Sequence, residues 1–205
     1  MNHIELPFSP ACERNKEIIF ETLQKFLTSG VMLEIGHGTG QHAIYFSKKF
    51  PMIQWQPADV GEHNWMMEQR IKQEYPKIAN LFNPIPIRVS KKKKLSEQCK
   101  GKFQNCYTAN TLHIMSEEES SLFCEEIGDL LLHQGYLFIY GPFKFEGKFT
   151  SESNHQFDQS LKQRDPLSGI RNFEHIKSLL KKEGISFIEN VNMPANNNFL
   201  IFQKD

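Results

Sequence analysis

Val31-Met32-Leu33-Glu34-Ile35-Gly36-His37-Gly38-Thr39-Gly40 is the stretch on which the reading of the fold turns. Its first half is short and largely apolar and stops at glycine, the pattern of a buried strand. Behind it, His42 to Phe50 has helical spacing and is closed by Pro51. Three glycines between a strand and a helix permit a sharp turn and let the backbone approach a ligand closely. A dinucleotide-binding turn calls for G-x-G-x-x-G. Here the third glycine comes one residue early, and Gln41 fills the expected place.

Working outward, helical and strand patterns alternate. Helical periods run over 13–27, 63–75, 117–132 and 173–183. Apolar strand patterns run over 53–57, 85–89, 103–109, 136–140, 185–191 and 199–203. Strands separated by helices imply a mainly parallel sheet with right-handed crossovers. The last two strands are joined by a short Asn-rich turn, so the sheet closes with an antiparallel hairpin. The expected fold is α/β: a seven-stranded, mostly parallel, Rossmann-like sheet with helices on both faces and the last strand antiparallel. Ligands of such sheets bind beyond the carboxyl ends of the strands.

That rule selects the candidate site. Glu34, Gly36, His37, Gly38 and Gly40 form the first turn. Asp59 with Val60 ends the second strand pattern, about twenty residues on, where a carboxylate can accept hydrogen bonds from both ribose hydroxyls. The glycine spacing, with an acidic residue just before the loop, suits S-adenosylmethionine (SAM) better than NAD. A tight turn without a ligand is the plainer reading. Asn110 and His113 follow the fourth strand pattern. Asn110 is placed to bond the methionine part of SAM. His113 is either a general base, since its ordinary pKa lies near neutrality, or a brace for the next helix. Tyr140 ends the fifth strand pattern as a pocket residue or a core aromatic.

Composition bounds the partners. The chain has 205 residues, 39% hydrophobic and 23% charged, an ordinary globular balance. Its 24 basic residues match 24 acidic ones, so no global field draws it to nucleic acid. The run Lys91-Lys92-Lys93-Lys94 reads as a solvated loop or as a patch for an acidic partner. Cys12, Cys99, Cys106 and Cys124 lack C-x-x-C spacing, and the first residues lack a signal-peptide pattern, so reduced thiols and a cytoplasmic location are expected. No apolar run of membrane-spanning length and no metal-ligand spacing is present in the sequence. A small-molecule substrate is expected. Oligomeric state is left open.

The chain resembles the methyltransferase-like family catalogued as DUF938 or UPF0585. The matching segments are Glu13-Arg14-Asn15-Lys16, Gly38-Thr39-Gly40-Gln41-His42, Trp55-Gln56-Pro57-Ala58-Asp59-Val60, Asn110-Thr111-Leu112-His113-Ile114, Tyr140-Gly141-Pro142-Phe143, Ser153-Asn154 with Phe157-Asp158, Gly169-Ile170-Arg171, and Met193-Pro194-Ala195-Asn196-Asn197. The resemblance implies a single SAM-dependent methyltransferase domain over 1–205. Residues 1–30 are expected to be an N-terminal helical cover, and 143–172 a lid or substrate insertion. Asn15 then joins the cofactor residues. Arg14, Asn154, Asp158, Arg171, Asn196 and Asn197 become candidate substrate contacts, with an Asp158–arginine pair holding the lid. Two departures stand out. The family pattern has an aspartate in a Leu-Asp-Val run where this chain has Ile87-Arg88-Val89, and a tryptophan where it has Ser168. A NAD-dependent oxidoreductase and a non-catalytic SAM-binding protein are the rival functions.

Overall fold

The computed structural model describes residues 5–74, 78–99 and 101–205. The chain divides into two compact units, 1–88 and 89–205.

In the first unit, helix α1 spans Pro10–Leu23. Ser9 caps it, its hydroxyl accepting from the Cys12 N–H, and Pro10 takes a first-turn position where no amide hydrogen is needed. The helix therefore begins three residues before the apolar period that announced it. Ile19 and Leu23 form its buried stripe. Strand β1, Gly30–Ile35, leads into the glycine turn and then helix α2, Gln41–Lys49. Strand β2 is Ile53–Asp59 and helix α3 is Gly61–Glu74. Tyr75, expected in that helix, lies outside the described residues. Strand β3 is only Ile85–Pro86, against the expected 85–89. Pro84 and Pro86 carry no amide hydrogen for the ladder. Past Pro86 a single bond, from Ile87 N–H to the Asp59 carbonyl at 2.9 Å, continues the contact. The three strands run parallel in the order β3-β2-β1. Met32, Leu33, Phe46, Ile53, Trp55 and Met67 make the core of this unit.

The second unit holds helix α4, Leu95–Cys99, strand β4, Phe103–Ala109, helix α5, Glu117–Leu130, and strand β5, Leu131–Gly141. A capping box starts α5. The Ser116 hydroxyl accepts from the Glu119 N–H, and the Glu119 carboxylate accepts from the Ser116 N–H. A cap of this kind contributes about 1 kcal/mol. The small hairpin β6 (Lys144–Phe145) and β7 (Lys148–Phe149) follows, then helix α6, Glu152–Arg164. The region 143–172 is thus largely regular structure. Its helix escaped the sequence reading because just three of its residues, Asn154, Asp158 and Leu161, are buried, two of them polar. Helix α7 (Phe173–Lys182) and strands β8 (Ile185–Met193) and β9 (Asn197–Lys204) complete the chain. Strand order is β4-β5-β9-β8, with β9 antiparallel to both neighbours. Leu137, Phe138, Ile139, Phe199, Leu200, Ile201 and Phe202 are fully buried. Burying one such side chain contributes roughly 1.5–3 kcal/mol.

The four cysteines are free thiols, and burial pushes Cys99 up to about 11 and Cys106 well above the ordinary range. Lys91, Lys92, Lys93 and Lys94 are all exposed, and Lys91 pairs with Glu118. Among the described residues, no helix is long and apolar enough to cross a membrane.

Candidate functional site

The first cluster is built on the turn after β1. Gly36, Gly38 and Gly40 have φ of 78°, 54° and 75°, a left-handed region that side chains disfavour. Gly38 and Gly40 are glycine for different reasons. A Cβ on Gly40 would sit 2.3 Å from the Met67 sulfur, so α3 leaves no room there. A Cβ on Gly38 would meet nothing within 4 Å, so its backbone borders open space.

Asp59, at the end of β2, ties the turn down. Its Oδ2 accepts the Gly38 N–H at 2.7 Å and its Oδ1 accepts the Val60 N–H at 2.7 Å. His63 Nδ1 lies 3.0 Å from Oδ2, without the alignment of a hydrogen bond. A carboxylate has about four acceptor positions, so two remain for ligand hydroxyls. His37 is buried, with Nε2 2.9 Å from Asn64 Oδ1, and Asn64 in turn donates to the Asp59 carbonyl at 3.1 Å. Burial lowers the His37 pKa, which favours the neutral ring.

Glu34 is 2% exposed, and its Oε2 accepts from the Trp55 indole at 2.6 Å. Burial pushes its pKa up to about 8; the indole bond opposes the rise and the Asp59 charge adds to it. At neutral pH this side chain is a protonated acid. A ligand ammonium would favour the ionised form.

The segment before α1 is strapped to the same turn. Arg70 donates to the carbonyls of Thr39 and Pro7, each at 2.8 Å. Gln41 accepts from the Ser9 N–H and from the Thr39 hydroxyl. Arg70 and Gln41 were not among the expected site residues. Asn15 is buried on α1, and its Oδ1 is 2.7 Å from His42 Nε2. Burial takes the His42 pKa down to about 4, so His42 is a neutral donor to Asn15. Asn15 therefore braces α1 on α2, while Arg14 is exposed on α1.

The second cluster lies in the other unit, on the turn after β4. Asn110 has φ of 56°, and its N–H bonds the Tyr140 carbonyl at 2.8 Å. Asparagine tolerates this conformation better than most residues. Asn110 Oδ1 and His113 Nδ1 both come within 3.8 Å of a Cβ built on Gly141. Tyr140 is buried and its ring meets Phe199. His113 is 6% exposed, with the Phe157 ring at 5.2 Å in an edge-on contact. Among the described residues, neither ring nitrogen has a hydrogen-bond partner. Burial first, and the Arg171 charge second, take its pKa down to about 4. His113 is therefore neutral near pH 7, with a lone pair available.

The candidate substrate residues divide. Asp158 was expected to pair with an arginine, and the structure corrects this. Its Oδ2 pairs with Lys162 at 2.6 Å, one helical turn on, and its Oδ1 accepts the Ile170 N–H at 2.7 Å. Burial alone would raise the Asp158 pKa, but the lysine and the amide lower it. Arg171 instead donates to main-chain carbonyls of Leu112, Met115 and Leu167. Arg164 is exposed. Asn154 is buried and donates to the Thr150 hydroxyl at 2.8 Å and the Asn196 carbonyl at 3.0 Å. Asn196 donates to the Ser153 hydroxyl at 3.1 Å. Ala195 and Asn196, both with φ of 56°, make the turn between β8 and β9, and Asn197 bonds the Pro194 carbonyl within it. Ser168 is buried and donates to the Ile114 carbonyl at 3.0 Å. Arg88 is exposed beyond β3. A cleft of about 350 Å³ in this unit is lined by Ser116, Lys144, Asp158, Lys162, Ser168 and Arg171, among others.

Comparison with known proteins adds two findings. A family model described as "Protein of unknown function (DUF938)" matches residues 6–204. Solved structures share the fold. An O-methyltransferase family protein from Burkholderia thailandensis superimposes with a TM-score of 0.79 at 12% identity, covering 95% of this chain and 57% of that one. Human N-acetylserotonin methyltransferase, in complex with SAM, gives 0.74 at 17% identity, covering 95% and 52%. The methyltransferase CalO1 of calicheamicin biosynthesis, in its S-adenosylhomocysteine-bound form, gives 0.74 at 12%, covering 95% and 54%. This chain thus spans just over half the length of these relatives. The expected fold is the observed one: a seven-stranded mixed sheet, mostly parallel, of the Rossmann-like methyltransferase type.

Proposed function

The chain belongs to the DUF938 family, and from that premise we propose that it is a SAM-dependent methyltransferase acting on a small-molecule acceptor. The observation that carries the reading is the bond between Gly38 and Asp59. A carboxylate 21 residues downstream is fixed to a left-handed glycine turn whose middle residue borders open space. That is an arrangement for a ligand with ribose hydroxyls at one end. Human N-acetylserotonin methyltransferase, with the same fold, is described in complex with SAM, which supports the cofactor assignment.

In this reading Asp59 holds the ribose hydroxyls. Gly36, His37, Gly38, Gly40 and Val60 supply the backbone around the cofactor. Glu34 meets its amino end, with Asn15 bracing from α1. When bound, SAM supplies an electrophilic methyl group on a positively charged sulfur. His113, neutral and without a hydrogen-bond partner among the described residues, accepts the proton of an O–H or S–H acceptor. Tyr140 lines its surroundings. Holding the acceptor in line and excluding water account for the rest of the rate. Arg14, Asn154, Asp158, Arg171, Asn196 and Asn197 act as acceptor contacts or as the frame of the walls that carry them.

Calorimetric titration with SAM, S-adenosylhomocysteine and NAD tests the cofactor. Tighter binding of the first two is expected, and preferential binding of NAD would overturn the reading. Incubation of a metabolite extract with methyl-labelled SAM then tests turnover. SAM binding without label transfer to any small molecule would instead identify a non-catalytic SAM-binding protein.

A further inference from the structure

The turn after β4 is fastened by a segment more than fifty residues away. Four successive carbonyls each accept one hydrogen bond from Ser168–Arg171. Arg171 Nε reaches Leu112 at 3.2 Å, the Gly169 N–H reaches His113 at 2.9 Å, the Ser168 hydroxyl reaches Ile114 at 3.0 Å, and Arg171 Nη2 reaches Met115 at 2.6 Å. The segment is itself anchored. Ile170 N–H bonds Asp158 Oδ1, and Gly169 lies so near that a Cβ there would sit 2.9 Å from the same oxygen. The donors are a mixture of backbone and side chain, so this is not strand pairing. A slip of one residue would break the whole set.

We propose that Ser168–Arg171 is a clamp that positions the His113 imidazole, with Arg171 as its positioning residue; this rests on the reading of His113 as proton acceptor. Holding the carbonyls of 112 through 115 fixes the backbone on both sides of His113, and so fixes the ring against Phe157. The half-buried guanidinium also disfavours an imidazolium nearby, which keeps the resting ring neutral. Arg171 is the charged group acting on His113. Glu117 and Glu119 of α5 and Asp158 of α6 act on Arg171 in turn. From β5 the close approach is Gly141, and from α6 it is the uncharged Phe157.

The test uses the full-length protein without an acceptor. NMR follows the titration of the His113 ring and the hydrogen exchange of the Gly169 amide. Arg171→Met should raise the His113 midpoint by about half a unit or more and speed Gly169 exchange about tenfold or more. Arg171→Lys keeps the charge but not the forked donor geometry, so exchange should quicken with the midpoint nearly unchanged. An R171M protein that folds and changes neither quantity overturns the clamp. Ser168→Ala removes one uncharged bond and covers the case in which Arg171 variants do not fold. Faster Gly169 exchange in S168A supports the clamp, and unchanged exchange overturns it. A separate measurement, full methyl transfer by His113→Gln, would sink the proton-acceptor reading alone, leaving the NMR data to decide the clamp.

Discussion

The turns after β1 and after β4 each follow a strand of a different unit, and they are held by different kinds of partner. The first is held by side chains of the next strand and helix, 21 and 31 residues along the chain, at one N–H and one carbonyl. Asp59 takes the Gly38 amide, while Arg70 and Gln41 tie Thr39 to the segment before α1. The second is held by its carbonyls, through a donor segment 54 to 59 residues away in sequence. Held by an acidic group, the first turn keeps spare acceptor positions for a polar ligand. Held by donors, the second carries an imidazole without a hydrogen-bond partner among the described residues.

The largest expected effect would break the comparison on the second side. His113→Ala should lower kcat with an identified O–H or S–H acceptor by about 10²–10⁴-fold, with SAM affinity unchanged by calorimetry. An equal loss of SAM affinity would mean that the second turn is also a cofactor turn. On the first side, Gly40→Ala should destabilise the protein by about 2–4 kcal/mol, from the clash with Met67 plus the left-handed backbone. Gly38→Ala bears just the backbone cost, about 1–2 kcal/mol. Urea denaturation of both variants measures the difference, and equal losses would mean that Met67 yields freely.

Asp59→Ala should weaken SAM binding by about 1–3 kcal/mol in calorimetry. Unchanged affinity in a folded variant removes Asp59 from the ribose role and leaves it a turn anchor. The last prediction concerns Glu34. Its folded pKa of about 8 lies above the ordinary 4.5. Between those values the unfolded chain has lost a proton that the native chain retains. Stability from this group is therefore complete below about 4.5 and falls as pH rises towards 8. Glu34→Gln should flatten that fall, read as denaturant midpoints at several pH values across the window. An unchanged slope would show that Glu34 does not govern it.

The same contrast explains what could be read from sequence. The glycine turn was legible because its cause is local: three glycines, an apolar strand before them and an acidic residue one strand later. The strands of the core were legible for the same reason, since Val, Ile, Leu and Phe at close spacing leave few alternatives. Strand β3 is shorter than its apolar residues suggest because Pro84 and Pro86 carry no amide hydrogen for the ladder. Helix α6 has too few buried positions to announce a period. The partner of Asp158 was misassigned because a lysine one turn along the helix was nearer than any arginine. The fastening of His113 could not be read at all, because it joins two backbone segments through groups that every residue possesses. Arg70 could have been suspected from its place on the helix after Asp59, but nothing in its own neighbourhood marks its reach to Pro7.

Asn154 and Asn196 have a consequence for how this protein can diverge. Each donates into the other's segment, Asn154 to the Asn196 carbonyl and Asn196 to the Ser153 hydroxyl. The start of α6 and the β8–β9 turn are therefore joined by a reciprocal pair. Asn154 needs only a main-chain carbonyl at position 196, which any residue supplies, whereas Asn196 and Ser153 depend on each other's side chains. Across an alignment of relatives, Ser153 and Asn196 should be inherited or lost together as one heritable unit, while Asn154 can persist whichever residue stands at 196.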